Sequence, residues 1–314
     1  MKKLNFALFI LLSLFQFQHS SQASTKPEVE NIYQDIRKEL GILPSFLKEY
    51  PPFSIAGAWI DLKGLLLNPQ TILPPKYKEL IALAVSNQIP CRYGQIFHSE
   101  FARFYKAGDL EMKEAIAVAG LTRKWSVFFH GIQLDPGEYR SEIDKALMYQ
   151  NNLKNFQAME IAPTNEERKI ETAEEVYRDA KKIFGFVPNF LTQYPKASVV
   201  GAWREFKGLS FNSYTTIPLK YKSLLGLAVA SQIPCSYCVY FHTLSAILEG
   251  ATKEEIQESA AIAAQVRNWS GNFNGLMMSD ADFKNEVAQM IDYLKNKPTK
   301  VTVTPNLSTG AATK

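Results

Sequence analysis

The 314-residue chain has few residues of the kinds that bind metals or form disulfides, with only three cysteines and four histidines. Cys235 and Cys238 form one Cys-x-x-Cys pair, and the sequence holds no second pair. Structural zinc sites generally combine two such pairs, so we expect no metal, and no motif indicates a bound cofactor. If Cys235 and Cys238 pair, Cys91 is left as a free thiol or as the partner of another chain.

Charge of either sign is in no large excess, since the formal net charge is +4. The first 23 residues hold two lysines and no acids, so their removal lowers the net charge to +2. A near-neutral chain gives no reason to expect nucleic acid as a partner. Long hydrophobic runs are also scarce. The one run, at residues 6–15, is too short to cross a bilayer, which needs about 20 residues.

The N-terminus has the order of a secretory signal peptide. Lys2 and Lys3 precede the apolar run, and the small residues Ser21 and Ala23 follow it. We therefore predict cleavage after residue 23 and an exported protein, periplasmic or secreted, without stable membrane insertion. An uncleaved membrane anchor is the alternative. No cysteine follows the apolar run, so a bacterial lipoprotein is not expected.

The chain repeats itself at an offset of 144 residues. Between residues 41 and 98, 30 of 58 positions are identical to their counterparts in the second copy. A period of this length indicates a duplicated domain. Apolar residues recur every three or four positions, which predicts an all-α fold with two tandem copies of one helical domain. We predict a first domain at 24–155, a second at 156–296 and a polar tail at 297–314.

The segment around Cys235, Cys238 and His242 carries the clearest chemistry. On a helix these residues fall at i, i+3 and i+7, which is a single face. A Cys-x-x-Cys motif at a helix N-terminus lowers a thiol pKa from about 8.5 to roughly 3.5–7.5. His242 lies one turn after Cys238, so we expect Cys238 to attack and Cys235 to resolve. A static disulfide is the alternative, because export favours oxidation.

The first copy keeps only part of this motif. Cys91 and His98 match the first cysteine and the histidine, but Gly94 replaces the second cysteine. A carboxylate, Glu79, lies on the preceding predicted helix, where the second copy has Ser223. Such a carboxylate holds an imidazole in one tautomer and raises its basicity. Either the first copy is an inactive scaffold, or Glu79 completes the second site across a pseudo-twofold interface.

Both copies resemble the carboxymuconolactone decarboxylase superfamily, and within it the alkylhydroperoxidase D-like, peroxidase-related branch. The elements that carry the resemblance are Gly-x-x-Pro-x-Phe-Leu, Lys-x-Leu-x-x-Leu-Ala-Val and Cys-x-Tyr-Cys-x-x-x-His. The resemblance implies an all-helical fold that assembles from several units, either within this tandem chain or as a homo-oligomer. It also implies a reactive Cys238, a partner Cys235 and His242 as proton relay, with the relay glutamate's position occupied by Ser223.

The function that this resemblance implies is an exported thiol-dependent peroxidase, an oxidoreductase. Its partners would be a hydroperoxide, or another small molecule, and an external thiol reductant. The decarboxylase branch lacks the thiol pair, so similarity to it implies a lyase that uses Glu79 and His98. A non-enzymatic helical protein with a static disulfide is a third alternative.

Overall fold

A computed structural model describes residues 26–156 and 170–297. The predicted signal peptide and residues 298–314 of the predicted tail lie outside the described residues. Within the two described ranges the chain forms fourteen helices and no β-strand, which confirms the all-α prediction. No helix in these ranges is both long and apolar enough to cross a bilayer.

Seven helices belong to each copy and follow one another in the same order. In the first copy they are α1 (Lys26–Leu40), α2 (Ser45–Lys48), α3 (Ile55–Gly64), α4 (Pro75–Gln88), α5 (Arg92–Phe104), α6 (Asp109–Gly131) and α7 (Pro136–Phe156). In the second copy they are α8 (Ala173–Phe184), α9 (Asn189–Thr192), α10 (Val199–Ser210), α11 (Leu219–Gln232), α12 (Ser236–Leu248), α13 (Lys253–Leu276) and α14 (Asp280–Asn296).

Helices α4 and α11 lie in the centre of the molecule. Residues 78–86 of α4 and 222–230 of α11 are all buried, because these two helices are covered on every side. Each stretch begins with a lysine whose ammonium group is satisfied by the preceding loop. Lys78 Nζ donates to Leu65 O at 2.7 Å, and Lys222 Nζ donates to Asn212 O at 2.8 Å. The two central helices meet at a stack of Tyr77 on Tyr221, with ring centroids 3.5 Å apart.

The two long helices α6 and α13 connect the copies. The second half of α6 packs on the second copy, where Trp125 lies 5.4 Å from Phe190 and 5.6 Å from Phe206 between ring centroids. The second half of α13 packs on the first copy, where Trp269 lies 5.4 Å from Phe46. Each of the two hydrophobic cores therefore contains residues of both copies.

A buried carboxylate on each long helix binds a loop of the other copy. Glu114 Oε2 accepts hydrogen bonds from the backbone N–H groups of Thr216 and Ile217, at 3.0 and 3.1 Å. Burial alone would raise the pKa of Glu114, but hydrogen bonds from Thr215 and Thr216 and the charge of Lys222 lower it. These bonds hold the loop that leads into α11.

The counterpart Glu258 binds the first copy in the same way. Its Oε2 accepts from the backbone N–H groups of Ile72 and Leu73, at 2.9 and 3.3 Å. The two carboxylates therefore make a reciprocal pair of contacts about a pseudo-twofold axis.

Replacement of either carboxylate should destabilise the whole chain. Glu114→Ala leaves two loop N–H groups without their acceptor and the buried ammonium of Lys222, 3.3 Å away, without its anion. We expect the free energy of unfolding to fall by about 3 kcal/mol in urea titrations. Glu254→Ala removes an exposed carboxylate from α13 and should change it by less than about 0.5 kcal/mol. Equal effects of the two substitutions would contradict the structural role of Glu114.

Candidate active site

The thiol pair of the second copy lies at the start of α12. Cys235 is the N-cap residue, and its sulfur accepts the backbone N–H of Cys238 at 3.2 Å. The two cysteines form a disulfide, with Cα atoms 5.3 Å apart. Both side chains are buried, but only Cys238 contributes to the wall of the adjacent cavity. Of the two sulfurs, that of Cys238 is therefore the one beside the space that a small molecule could enter.

This cavity has a volume of about 380 Å³ and is enclosed by both copies. Aromatic side chains form much of its wall: Trp125, Phe129, Tyr139, Phe190, Phe206, Phe211 and Phe241. Thr122, Ser223 and His242 are polar groups in the same wall. Lys207 and Lys222 also line it, and each pairs with an acid, Lys207 with Asp179 at 3.0 Å and Lys222 with Glu114. Glu142, Gln150, Lys182 and Glu249 are in the wall as well, but apolar surface predominates, so the cavity suits a molecule with an apolar body.

His242 is buried in the cavity wall and lies against Gly226 of α11. A side chain at position 226 would overlap the imidazole, so only glycine leaves room for the ring in this position. Nε2 lies 3.3 Å from the hydroxyl of Thr122, and Nδ1 has no hydrogen-bond partner. Burial lowers the pKa of His242 from 6.5 to about 3, so the imidazole is neutral at physiological pH.

The first-copy site has a different arrangement. His98 Nδ1 lies 2.7 Å from Glu79 Oε2, and both side chains are buried. The sulfur of Cys91 accepts from the backbone N–H of Gly94 and from the amide of Asn274, each at 3.5 Å. Only about 20 Å³ of space remains beside these groups. Glu79 thus pairs with the histidine of its own copy and takes no part in the wall of the larger cavity.

Near the end of α5 the first copy has larger side chains than the second copy has at the matching positions. Phe101 is fully buried and stacks on Phe97 with ring centroids 4.3 Å apart, whereas its counterpart in the second copy is Ser245. Tyr105, whose pKa is raised by burial to about 12, has Glu249 as its counterpart. Ser245 and Glu249 both line the larger cavity. The larger cavity therefore has a serine in its wall where the first copy has a buried phenylalanine.

Two further differences between the copies explain why the second copy, and not the first, has room for a second cysteine. A side chain at Gly94 would meet the hydroxyl of Ser86 at 2.5 Å, which is too close for any carbon atom. In the second copy the counterpart of Ser86 is Ala230, and the counterpart of Gly94 is Cys238. The smaller alanine leaves room for the cysteine side chain, so the residues at both positions differ between the two copies.

The structure brings together three of the predicted site residues, Cys235, Cys238 and His242, on one helix. It keeps Glu79, His98 and Cys91 together in the first copy. The sequence-based prediction did not include the cavity-lining residues Thr122 and Ser245, or Gly226. A direct comparison of the two copies would have marked all three positions, because their counterparts are Val266, Phe101 and Ala82. Among the described residues, no three His, Cys, Asp or Glu side chains are grouped to hold a metal ion.

The model of the carboxymuconolactone decarboxylase family matches residues 55–134 and 198–273, one stretch in each copy. The chain belongs to the carboxymuconolactone decarboxylase family. The predicted resemblance to this family and the predicted tandem duplication are thereby confirmed. No curated protein matches the chain. A solved structure that matches the chain is a protein assigned as a gamma-carboxymuconolactone decarboxylase subunit, from Burkholderia xenovorans LB400, with 15% identity and a TM-score of 0.49, covering 87% of this chain and 99% of that one.

The disulfide should be transferable to the first copy of this family member by two substitutions together. In Ser86→Ala/Gly94→Cys we expect a disulfide between Cys91 and the introduced cysteine, because Cys91 already caps α5 as Cys235 caps α12. Gly94→Cys alone should destabilise the protein by about 1–3 kcal/mol, since the sulfur competes with the hydroxyl of Ser86. Mass spectrometry after alkylation, with and without reduction, measures the bond. A single substitution that forms it equally well would contradict the steric argument.

The buried neutral His242 should make stability depend on pH. Its pKa is about 3 in the folded protein and near 6.5 when unfolded, so the unfolded chain binds the extra proton between these values. The stabilising contribution is complete above pH 6.5 and is lost as the pH falls, by up to about 1.4 kcal/mol per unit. Urea titrations of oxidised protein between pH 4.5 and 8 measure this slope. In His242→Gln it should be shallower by that amount, and an unchanged slope would contradict the assignment.

Proposed function

We propose that this protein is an exported thiol-dependent peroxidase that reduces organic hydroperoxides. The observation that carries the proposal is a disulfide whose Cys238 lies in the wall of a cavity of about 380 Å³, with an uncharged imidazole in the same wall. The Cys-x-x-Cys-x-x-x-His element, which resembles the peroxidase-related branch of the family, adds support.

The reaction begins with both thiols reduced. The thiolate of Cys238 attacks the terminal oxygen of the hydroperoxide, the O–O bond breaks, and the alcohol leaves after it takes up a proton. The sulfenic acid on Cys238 then condenses with the thiol of Cys235, which forms the disulfide and releases water. An external thiol reductant reopens the disulfide by exchange and is itself oxidised. The net change is one hydroperoxide and two thiols to one alcohol, one water and one disulfide.

The size of the cavity supports an organic hydroperoxide rather than hydrogen peroxide as substrate. One water molecule needs roughly 10–15 Å³ of the space open to a water-sized sphere, so a cavity of about 380 Å³ greatly exceeds the needs of two oxygen atoms. The aromatic wall would bind an alkyl or aryl body by burial of apolar surface. A hydroperoxide group at one end of such a body could then lie beside Cys238.

His242 would act as an uncharged hydrogen-bonding group. With a pKa of about 3 it does not retain a thiol proton as an imidazolium, because a reference thiol has a pKa near 8.5. Its neutral ring can instead accept a hydrogen bond from the thiol of Cys238 or from the hydroperoxide. The thiolate itself is favoured by the N-terminus of α12, where Cys235 is the N-cap.

Peroxide consumption by pre-reduced protein should depend on Cys238 and Cys235 in different ways. With cumene hydroperoxide we expect Cys238→Ser to reduce the rate to that of buffer alone. Cys235→Ser should allow one turnover and then stop at a sulfenic acid that dimedone traps. Cys91→Ser is the matched control and should keep the wild-type rate, since Cys91 lies in the other site. Unchanged consumption in Cys238→Ser would sink the proposal.

A lyase that uses Glu79 and His98 is the second candidate, and the buried 2.7 Å pair favours it. Only about 20 Å³ of space lies beside that pair, room for little more than a water molecule. Loss of activity toward a lactone in Glu79→Gln, with Cys238→Ser without effect, would identify the lyase. A disulfide reduction potential below about −300 mV would instead favour the static disulfide.

Substrate size should be controlled by Ser245. Ser245→Phe introduces the side chain that the first copy has at the matching position, so we expect kcat/KM for cumene hydroperoxide to fall by about 100-fold. The rate with hydrogen peroxide should change far less, because that molecule needs little room. Ile247→Phe adds the same ring at an exposed position of α12 and is the control. Equal losses with both peroxides would contradict a role for Ser245 in size selection.

Export is the remaining part of the proposal, and the order of charged, apolar and small residues at positions 2–23 supports it. N-terminal sequencing of protein recovered from the exported fraction should begin near Ser24. Recovery of chains that still begin at Met1 would contradict it.

A further inference from the structure

The two histidines at matching positions of the copies, His98 and His242, are held by different partners on opposite ring nitrogens. In the first copy, Nδ1 of His98 is bonded to Glu79. In the second copy, Nδ1 of His242 has no partner, and Nε2 lies 3.3 Å from Thr122 Oγ1. Thr122 belongs to the first copy, so the contact crosses between the copies.

The hydroxyl of Thr122 has a defined direction. Its proton is donated to the backbone carbonyl of Val118 at 2.9 Å, one turn earlier on α6. A carbonyl oxygen only accepts, and a hydroxyl has one proton, so Thr122 Oγ1 is left as an acceptor toward His242. The nitrogen that faces it must then be the protonated one. This assigns Nε2–H and a lone pair on Nδ1.

The residues near the two histidines differ between the copies in a way that agrees with this assignment. The counterpart of Thr122 is Val266, which lines the space beside His98 and offers no hydroxyl. The counterpart of Glu79 is Ser223. Each imidazole thus has one candidate polar partner that the other site lacks, a carboxylate for His98 and a hydroxyl for His242.

We propose that Thr122 is the positioning residue of the second-copy site, because its hydroxyl holds His242 in the tautomer whose basic nitrogen is Nδ1. That nitrogen is buried and unpartnered. It is the basic nitrogen of a ring that shares the cavity wall with Cys238, and we expect it to accept a hydrogen bond from the reduced thiol or from the hydroperoxide group. The catalytic part of this role rests on the function proposed above, whereas the tautomer does not.

The tautomer is measurable without activity. In 15N-labelled, reduced full-length protein, long-range proton–nitrogen spectra distinguish a protonated from an unprotonated ring nitrogen, and His242→Gln assigns the signals. We expect Nε2 of His242 to be protonated and Nδ1 unprotonated. Thr122→Val should give a mixture of tautomers or the reverse one, and Thr122→Ser should restore the wild-type pattern. Val266→Thr is the matched control and should leave the signals of His242 unchanged.

The activity assay separates this inference from the function itself. We expect Thr122→Val to lower kcat/KM for cumene hydroperoxide by about tenfold, with recovery in Thr122→Ser. A protonated Nδ1 in the wild type, or the same tautomer in Thr122→Val, overturns the proposal whatever the activity. If the tautomers behave as expected but Cys238→Ser still consumes peroxide, the peroxidase function fails and the positioning contact stands.

Discussion

The reciprocal contacts of Glu114 and Glu258 are the constraint on which the rest of the structure depends. Each carboxylate is carried by one copy and satisfies backbone N–H groups of a loop in the other. A buried carboxylate without these donors would be costly, so the long helices α6 and α13 must lie across the opposite copy. Their second halves then enclose the sites. Neither histidine is surrounded by its own copy alone, because α13 covers His98 and α6 covers His242.

The two sites have diverged through exchanges between neighbouring positions. Glycine at position 226 accommodates the ring of His242, and a serine at 245 leaves the cavity open. In the first copy, the carboxylate of Glu79 binds the ring of His98, and the counterpart of Ser245 is the buried Phe101. The chemical consequence is a difference in the surroundings of the two imidazoles. One histidine is paired with an acid beside a small pocket, while the other is neutral and shares the wall of a large pocket with Cys238.

Much of the fold was predictable from the sequence because its signals are local or strictly periodic. The offset of 144 residues revealed the two copies, the three-to-four spacing of apolar residues indicated helices, and the Cys235–His242 motif identified one face of α12. The contact of Thr122 with His242 joins residues 120 positions apart in different copies, so no local pattern marks it. The cavity could not be predicted from the sequence either, because its volume depends on side chains from several helices that only the packing of the fold brings together.

One consequence follows from the stack of Tyr77 on Tyr221 at the meeting point of the central helices. In a dimer of two identical chains, a residue on the twofold axis contacts the same residue of the other chain. A single mutation therefore changes both subunits. Here the two tyrosines are separate codons, as are Thr122 and Val266. A gene that encodes both halves can keep a symmetric frame while each half mutates alone. After gene duplication the two pockets can therefore acquire mutations independently. One pocket can specialise while the other copy contributes only to the packing of the fold.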